Sequence, residues 1–537
     1  MPGEDSVPPT GTVATDTLSR RLLFGIAVLA VLCGLSFARW PSPGINETHY
    51  LAKAKHFADP AWCAGDFFLE SSNPHAATSW LLGELTSRFS FEKSAAIGRT
   101  LALVVLAAGW TLMLCGTLPG WRERILATSL FCCLHILGNW SGEWLLRGVE
   151  GKVFAWGFLF LAIGLWTARK PVIAGASLGA AFTFHPVIGA WGALCAILSF
   201  AWAAMDRRRI RRTDASVTEP ACGNVSLPAI AGAAILFALT AAPGFVAALP
   251  ALRLGTPEER WQADHIQVAQ RLAHHLDPAQ FLWSSHREYL LLIAALLLLP
   301  RGRRWTALER MGWMAVLCAI GGIVVAIWPR ELHPFSLYVL RLKLLKLYPF
   351  RLADIFVPLL VSARIAEWLG SVAAWKAGWW RFAPLSAALL GVAWFWPGDE
   401  KPARKMSLAE FEDWKEVLGW IRKETPPDAV VQSMNEDFAI KWYTERAEYV
   451  NYKDCPQDAP GIMEWHRRLL WLDQEWRTPA IADMRVSAAE LATLHQRTGI
   501  DYLICSRFGP IEGDPVFTKG AFRVYRLPAA PAAGGAR

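Results

Sequence analysis

Apolar and polar positions along this chain separate into long blocks. Uninterrupted apolar runs occupy 22–38, 98–118, 125–141, 153–168, 171–185, 187–204, 227–249, 284–300, 311–328, 350–368 and 380–397. A helix crossing a bilayer needs about 20 apolar residues, so each run predicts a membrane span. The run at 284–300 is the weakest, with only "YLLLIAALLLLP" as its core. Residues 171–204 are continuous in hydropathy, yet one helix of that length would reach roughly 50 Å, too long for one crossing. The His185–Pro186 pair divides it, because proline ends a helix at the residue before it. The pattern predicts a mainly α polytopic membrane protein of about eleven spans.

Charge gives these spans an orientation. With the N-terminus inside, Arg20–Arg21, "WRER" (121–124), "ARK" (168–170), "RRRIRR" (207–212), "RGRR" (301–304), Lys376 and Arg381 all fall on the inner side, as the positive-inside rule asks. The same topology places 39–97, 139–152, 250–288, 329–350 and everything after 397 outside. Residues 1–20 read as a disordered inner tail, 21–397 as the membrane domain with large outer loops at 39–97, 250–288 and 329–350, and 528–537 as a disordered tail. The first run has no signal-peptide cleavage site and reads as a retained anchor.

Between 398 and 527 the period changes. Ser407 and Glu410 form a capping box ahead of the stripe Phe411, Trp414, Leu418, Ile421. "AVVQSM" (429–434), "EYVNY" (448–452), "DYLIC" (501–505) and "AFRVYRL" (521–527) read as strands, with helices near 459–476 and 488–497. This is a small α/β domain on the extracytoplasmic side.

Composition agrees: 53% of residues are hydrophobic and 19% charged, with 28 Trp and 27 Phe. The net charge of +8 sits in the connections between spans, which argues for topology and against nucleic acid. The 10 cysteines lack CxxC or zinc-like spacing.

Candidate chemistry collects in the outer loops. In the first, "NETHYLAKAKHF" (46–57) predicts an amphipathic helix lying in the interface, with Glu47 before it and Asp66 after it. A carboxylate held at a membrane edge can act as a general base toward a hydroxyl; the structural alternatives are a helix N-terminal charge and a loop charge. In the second, Glu143, Arg147, Glu150 and Lys152 crowd the mouth of the fourth span. Lys152 either snorkels or meets a phosphate. In the third, "RLAHHLDP" places His274 and His275 about 100° apart on a helix, which disfavours a shared metal; a plain interfacial helix is the first reading and phosphate or sugar hydrogen bonding the second. His286 is a further partner. In the fourth, "YPFRLADIF" puts Arg351 and Asp354 one turn apart, where they either pair with each other or offer a guanidinium fork to phosphate. His185 reads as a turn residue.

With Asn46-Glu47 shortly after the first span, "HYLAKA" following, many spans and an outer C-terminal domain, the whole chain resembles the GT-C class of membrane glycosyltransferases. Many members carry two acids where this chain has Asn46 and Glu47, so Asn46 departs from the pattern. "RGVEGKVFAW", "FHPVIGAW", "RLAHHLDP" and "YPFRLADIF" are similar to a bacterial family of polytopic proteins without an established activity.

The resemblance implies a polyprenyl-phosphate sugar as donor, its lipid in the membrane and its phosphate near Lys152, Arg351, His274 and His275. Glu47 would be the base that deprotonates or orients the acceptor hydroxyl, with Asp66 a second catalytic carboxylate, Glu150 and Asp354 auxiliary, and transfer would invert the anomeric centre. The acceptor is a glycan, lipid or protein, and no residue set requires a metal, although the class leaves room for a divalent cation. Localisation would be the inner or plasma membrane. A transporter or flippase, and a scaffold whose outer domain binds an envelope partner, are the competing classes. Pro186, Pro243 and Pro358 interrupt spans as in transporters, but no internal repeat accompanies them.

Overall fold

The computed structural model describes residues 18–137, 139–213, 225–300, 306–327, 335–372, 383–395, 406–434, 438–482 and 485–528. Most of both expected disordered tails, "RGRR", Lys376, Arg381 and residues 329–334 of the fourth outer loop lie outside these residues.

A helix occupies each of the eleven apolar runs. The segment between the first two runs adds three more. In order, these are α1 (Leu18–Arg39), α2 (Ile45–Ala58), α3 (Phe67–Glu70), α4 (Ala76–Thr86), α5 (Phe91–Thr117), α6 (Trp121–Leu137) and α7 (Gly151–Thr167). Then come α8 (Pro171–Phe184), α9 (Pro186–Thr213), α10 (Leu227–Arg253), α11 (Pro257–His265), a π-helical turn at Ile266–Arg271, and α12 (Ala273–Leu276). α13 (Trp283–Leu298), α14 (Ala307–Ile327), α15 (Phe335–Lys346), α16 (Arg351–Ser371) and α17 (Ala383–Phe395) complete the helical part. α8 ends at an extended His185 and α9 begins at Pro186, the break that proline imposes.

Among the described residues, α1, α5, α9, α10 and α14 are long and apolar enough to cross a membrane. Their outward faces carry apolar side chains that no protein covers: Ile235, Leu239 and Val246 on α10, Val324 and Ile327 on α14. An apolar exterior of this kind suits lipid. α16 is the central helix, buried without interruption from Leu352 to Arg364 and packed against α6 and α14. α5 and α7 approach so closely at Gly109 and Gly157 that a Cβ on either would collide with the other backbone, the small-residue contact of membrane helices.

The C-terminal part opens with α18 (Leu408–Glu424), whose Ser407–Glu410 capping box is formed. It includes β1 (Val430–Ser433), α19 (Ile440–Thr444), β2 (Ala447–Glu448), α20 (Ala459–Leu470), α21 (Ala488–Thr498), β3 (Tyr502–Cys505), β4 (Phe517–Lys519) and β5 (Phe522–Arg526). The strand order is β2-β1-β3-β5-β4, with β1 parallel to both β2 and β3, and β5 antiparallel to β3 and β4. Tyr502 and Ile504 face α18 through Trp414 and Leu418, while Leu503 and Cys505 face Trp465, Trp476 and Leu494. Helices cover both faces, so β3 is apolar throughout. Two readings shift. The strand expected over 448–452 stops at Glu448, since Asn451 and Asp454 turn inward to an ion-pair network; β4 is a short edge strand with no sequence pattern of its own.

Candidate functional site

The α2 helix does not lie in an interface with a free polar face. Its Glu47, Leu51, Lys53, Ala54 and His56 are all buried, because α2 is sandwiched between the helical bundle and the C-terminal domain. Lys53 is held by the carbonyls of Phe68 (2.6 Å), Leu69 (2.9 Å) and Ser71 (2.7 Å), and burial lowers its pKa to about 8.

Glu47 is turned toward α5 and α7. It forms a two-pronged ion pair with Arg99, accepts from the amides of Gly44 (2.8 Å) and Val149 (2.9 Å), and has no exposed surface. Gly148 is needed beside it, since a Cβ there would collide with Glu47 Cγ. Asp66 is equally enclosed. One of its oxygens caps α3 through Leu69 N (3.0 Å); the other accepts from Glu448 N (3.0 Å) and lies 3.3 Å from Lys441 Nζ.

Lys441 is the clasp between the two parts. Its ammonium also meets Glu448 (2.8 Å) and Asp454 (2.6 Å), so three carboxylates from separate segments share one cation. Burial would lower its pKa, but these carboxylates raise it well above the ordinary lysine value. Ser72 with Asp458, and Trp442 Nε1 with Glu92 (2.8 Å), extend the seam.

The remaining predicted residues converge elsewhere. Asn46, adjacent to Glu47 but on another face of α2, donates to Glu150 (2.8 Å), which also pairs with Lys152 at 3.2 Å. Burial alone would raise the Glu150 carboxyl; Lys152 and the Asn46 amide reverse this and hold it below the usual range. Arg351 does not pair with Asp354. It binds Glu143 at 2.9 Å and reaches His185 Nε2 at 3.3 Å. Asp354 instead accepts from Ser141 N (2.8 Å), Ser141 Oγ (2.7 Å) and Glu143 N (3.2 Å), which fixes the loop ahead of α7. His275 Nδ1 lies 2.6 Å from Ser141 O, against Gly142, whose φ of +88° and contact with the imidazole both require glycine. Burial lowers the His275 pKa to about 3. His274 is exposed, its ring 4.1 Å from that of His275.

Lys152 is the second residue of α7 and Arg351 the first of α16, so both stand at positive helix ends. Lys453, from the C-terminal domain, completes the group: Glu150, Arg271, Lys152 and Asp454 all act on its ammonium, and burial lowers its pKa. Tyr50 and His75 stand beside these groups, their rings 5.8 Å apart, with His75 5.0 Å from His185. The sequence pattern offered no sign of Lys453 or Asp454, whose place in the site depends on docking of the C-terminal domain. His49 and Tyr50 stood in the quoted helix, but only its contacts mark them.

Lys152 and Arg351 are each paired with a buried acid, Glu150 and Glu143, and keep 11% and 16% of their side chains exposed, so an anion can reach both cations from the open side. The arrangement does not fit a divalent metal. Among the described residues no three His, Cys, Asp or Glu side chains are placed to share one, and Glu47, Glu143 and Glu150 are each taken by a cation. A separate cavity of about 530 Å³, lined by residues including His265, Tyr338, Arg341 and Asp277, adjoins the π-helical turn that carries Arg271.

A domain of unknown function, DUF6798, matches residues 412–472, from α18 through α20, the stretch with Lys441, Glu448 and Asp454. Curated proteins yield no match. Among solved structures, ArnT from Cupriavidus metallidurans in the apo state aligns at 12% identity over 95% of this chain and 99% of its own, with a TM-score of 0.41. The oligosaccharyltransferase AglB from Archaeoglobus fulgidus, in complex with an inhibitory peptide and a dolichol-phosphate, aligns at 12% over 90% of this chain and 69% of its own, with a TM-score of 0.39. A further oligosaccharyltransferase structure from Archaeoglobus fulgidus, in complex with Zn and sulfate, aligns at 13% over 90% of this chain and 68% of its own, also at 0.39. All three scores are below 0.5, so the site has to be read from the residues of this chain.

Proposed function

We propose that the chain is an integral membrane glycosyltransferase that moves a sugar, with inversion, from a polyprenyl-phosphate donor to an acceptor on the extracytoplasmic face. The observation that carries this reading is that Lys152 on Glu150 and Arg351 on Glu143 stand at the N-terminal ends of two apolar helices, with Lys453 in the field of Glu150 and Lys152. A lipid phosphate there has its tail against apolar helix surfaces and its charge among fixed cations. As the sugar–phosphate bond breaks, negative charge grows on the departing phosphate, and cations already in place stabilise it without reorganising. His274 and His275 supply further hydrogen bonds at the rim.

In this reading the membrane domain crosses an inner or plasma membrane about eleven times, with the C-terminal domain outside and a glycan, lipid or protein as acceptor. Glu47, saturated by Arg99 and two backbone amides, positions the loop before α7 and does not take the proton itself. Asp66 joins the outer domain to the first loop.

Binding of undecaprenyl phosphate to the purified protein in lipid nanodiscs tests the proposal. Arg351→Met and Lys152→Met should each weaken it about tenfold or more, the worth of one charge-assisted contact. Absent binding, or binding indifferent to both substitutions, would refute the reading.

A further inference from the structure

Every carboxylate near the cationic cluster has its oxygens committed or enclosed. Glu150 holds Asn46 and Lys152, Glu143 holds Trp156 and Arg351, and Asp354, wholly buried, accepts from Ser141 and Glu143 N. A transferase still needs a group to accept the proton of the attacking hydroxyl. One side chain at this place has the required form.

His49 lies one turn after Asn46 on α2, on the face that carries Asn46 and Tyr50 toward Glu150. Its Nδ1 is 2.9 Å from Asp454 Oδ1. The other Asp454 oxygen takes Lys441 Nζ (2.6 Å) and Asn451 Nδ2 (3.0 Å), and Asp454 N donates to Asn451 Oδ1 (2.7 Å). Asp454 is therefore an ionised carboxylate fixed in place, which requires the proton on His49 Nδ1 and leaves Nε2 with a lone pair. Phe68 (4.4 Å between ring centroids) and Tyr50 (5.3 Å) hold the imidazole plane. The His49 side chain keeps 17% of its surface exposed, against 9% for Asp454, so the ring is the reachable member of the pair. The charged groups facing it are Asp454 and Lys453 from the C-terminal domain and Arg271 from the π-helical turn, with His75 beyond Tyr50. Burial and these two cations favour its neutral form.

We propose that His49, oriented by Asp454, is the general base of the transfer reaction; this rests on the glycosyltransferase reading above. The acceptor hydroxyl passes its proton to His49 Nε2 as its oxygen bonds to the anomeric carbon. The bond from that carbon to the phosphate oxygen breaks, and its electron pair leaves on the lipid phosphate among Lys152, Arg351 and Lys453. Asp454 stabilises the imidazolium, which returns the proton to water. The outer domain would then be a part of the active centre, supplying Asp454 and Lys453, and its docking through Lys441 would assemble the base.

The test uses the full chain in nanodiscs, with undecaprenyl phosphate carrying glucose, mannose or arabinose as donors and water as the acceptor, so no natural acceptor has to be known. His49→Gln should lower kcat for sugar release by about 100-fold or more, the usual worth of a general base, with KM and undecaprenyl-phosphate binding within threefold of wild type. Asp454→Asn, a change to the positioning residue, should move the acidic limb of the pH–rate profile to lower pH, because the imidazolium loses its counter-charge. If His49→Gln releases sugar within threefold of wild type while Lys152→Met does not, the base is overturned and the transferase reading survives. If the wild-type protein releases sugar from none of the donors, both fall together.

Discussion

The Glu47–Arg99 pair offers the sharpest test of how this fold is held. Its side chains are 0% and 1% exposed, so the charges are removed from water and must satisfy each other. One carboxylate oxygen accepts from Arg99 Nε and Val149 N, the other from Arg99 Nη2, Gly44 N and Ser42 Oγ. In Glu47→Gln an amide nitrogen replaces one oxygen, and whichever side it takes, its hydrogens oppose an arginine donor and a backbone donor. The guanidinium is also left as an uncompensated buried charge. Breaking one side of such a pair costs about 3–5 kcal/mol, or roughly a hundred- to several-thousandfold in the folding equilibrium. Purified wild type, Glu47→Gln, Arg99→Met and the double variant would be unfolded by SDS in mixed micelles. The single variants should lose that amount, and the double variant should lose less than their sum, as directly coupled residues do. Stability within about 1 kcal/mol of wild type, together with lost sugar transfer, would refute the reasoning and return Glu47 to the role of base.

Three further outcomes are expected. Gly142→Ala forces a positive-φ position and displaces His275, and Gly148→Ala drives a methyl into Glu47; each should cost about 1–3 kcal/mol in the same unfolding assay, and no loss would mean the loop adapts. Lys441→Met leaves Asp66, Glu448 and Asp454 facing one another, so limited proteolysis should cut the C-terminal domain free much sooner than in wild type; equal digestion rates would argue against the clasp. Burial raises the Glu448 carboxyl to about 7, so between the ordinary glutamate range and that value the folded state binds more protons than the unfolded one. Its contribution therefore makes stability fall as pH rises through this window, and Glu448→Gln should remove that part of the slope when unfolding is compared at pH 5 and pH 8.

Local patterns read well from the sequence. Apolar runs mark where a helix must be, because burial against lipid or protein depends on residue type over about 20 positions. The His185–Pro186 break and the Ser407–Glu410 cap are likewise local, set by a missing amide hydrogen and by two reciprocal hydrogen bonds. Lys152, Glu150 and Arg351 were legible as candidates because a charge at the mouth of an apolar helix is costly without a purpose.

Partnership was not legible. Arg351 and Asp354 have the spacing of a helical pair, yet Glu143 and Ser141 claim them from a distant loop. Lys453 and Asp454 enter the site only because Lys441 docks the C-terminal domain against the first loop. The stretch "NETHYL" holds the same division within six residues. Sequence determined that it would be a helix beside a membrane with an acid near its start. Which side chain faces the chemistry was left to tertiary structure, because successive residues on a helix point about 100° apart. That rotation sends Glu47 to Arg99, 52 residues away, Asn46 to Glu150, 104 residues away, and His49 to Asp454, 405 residues away.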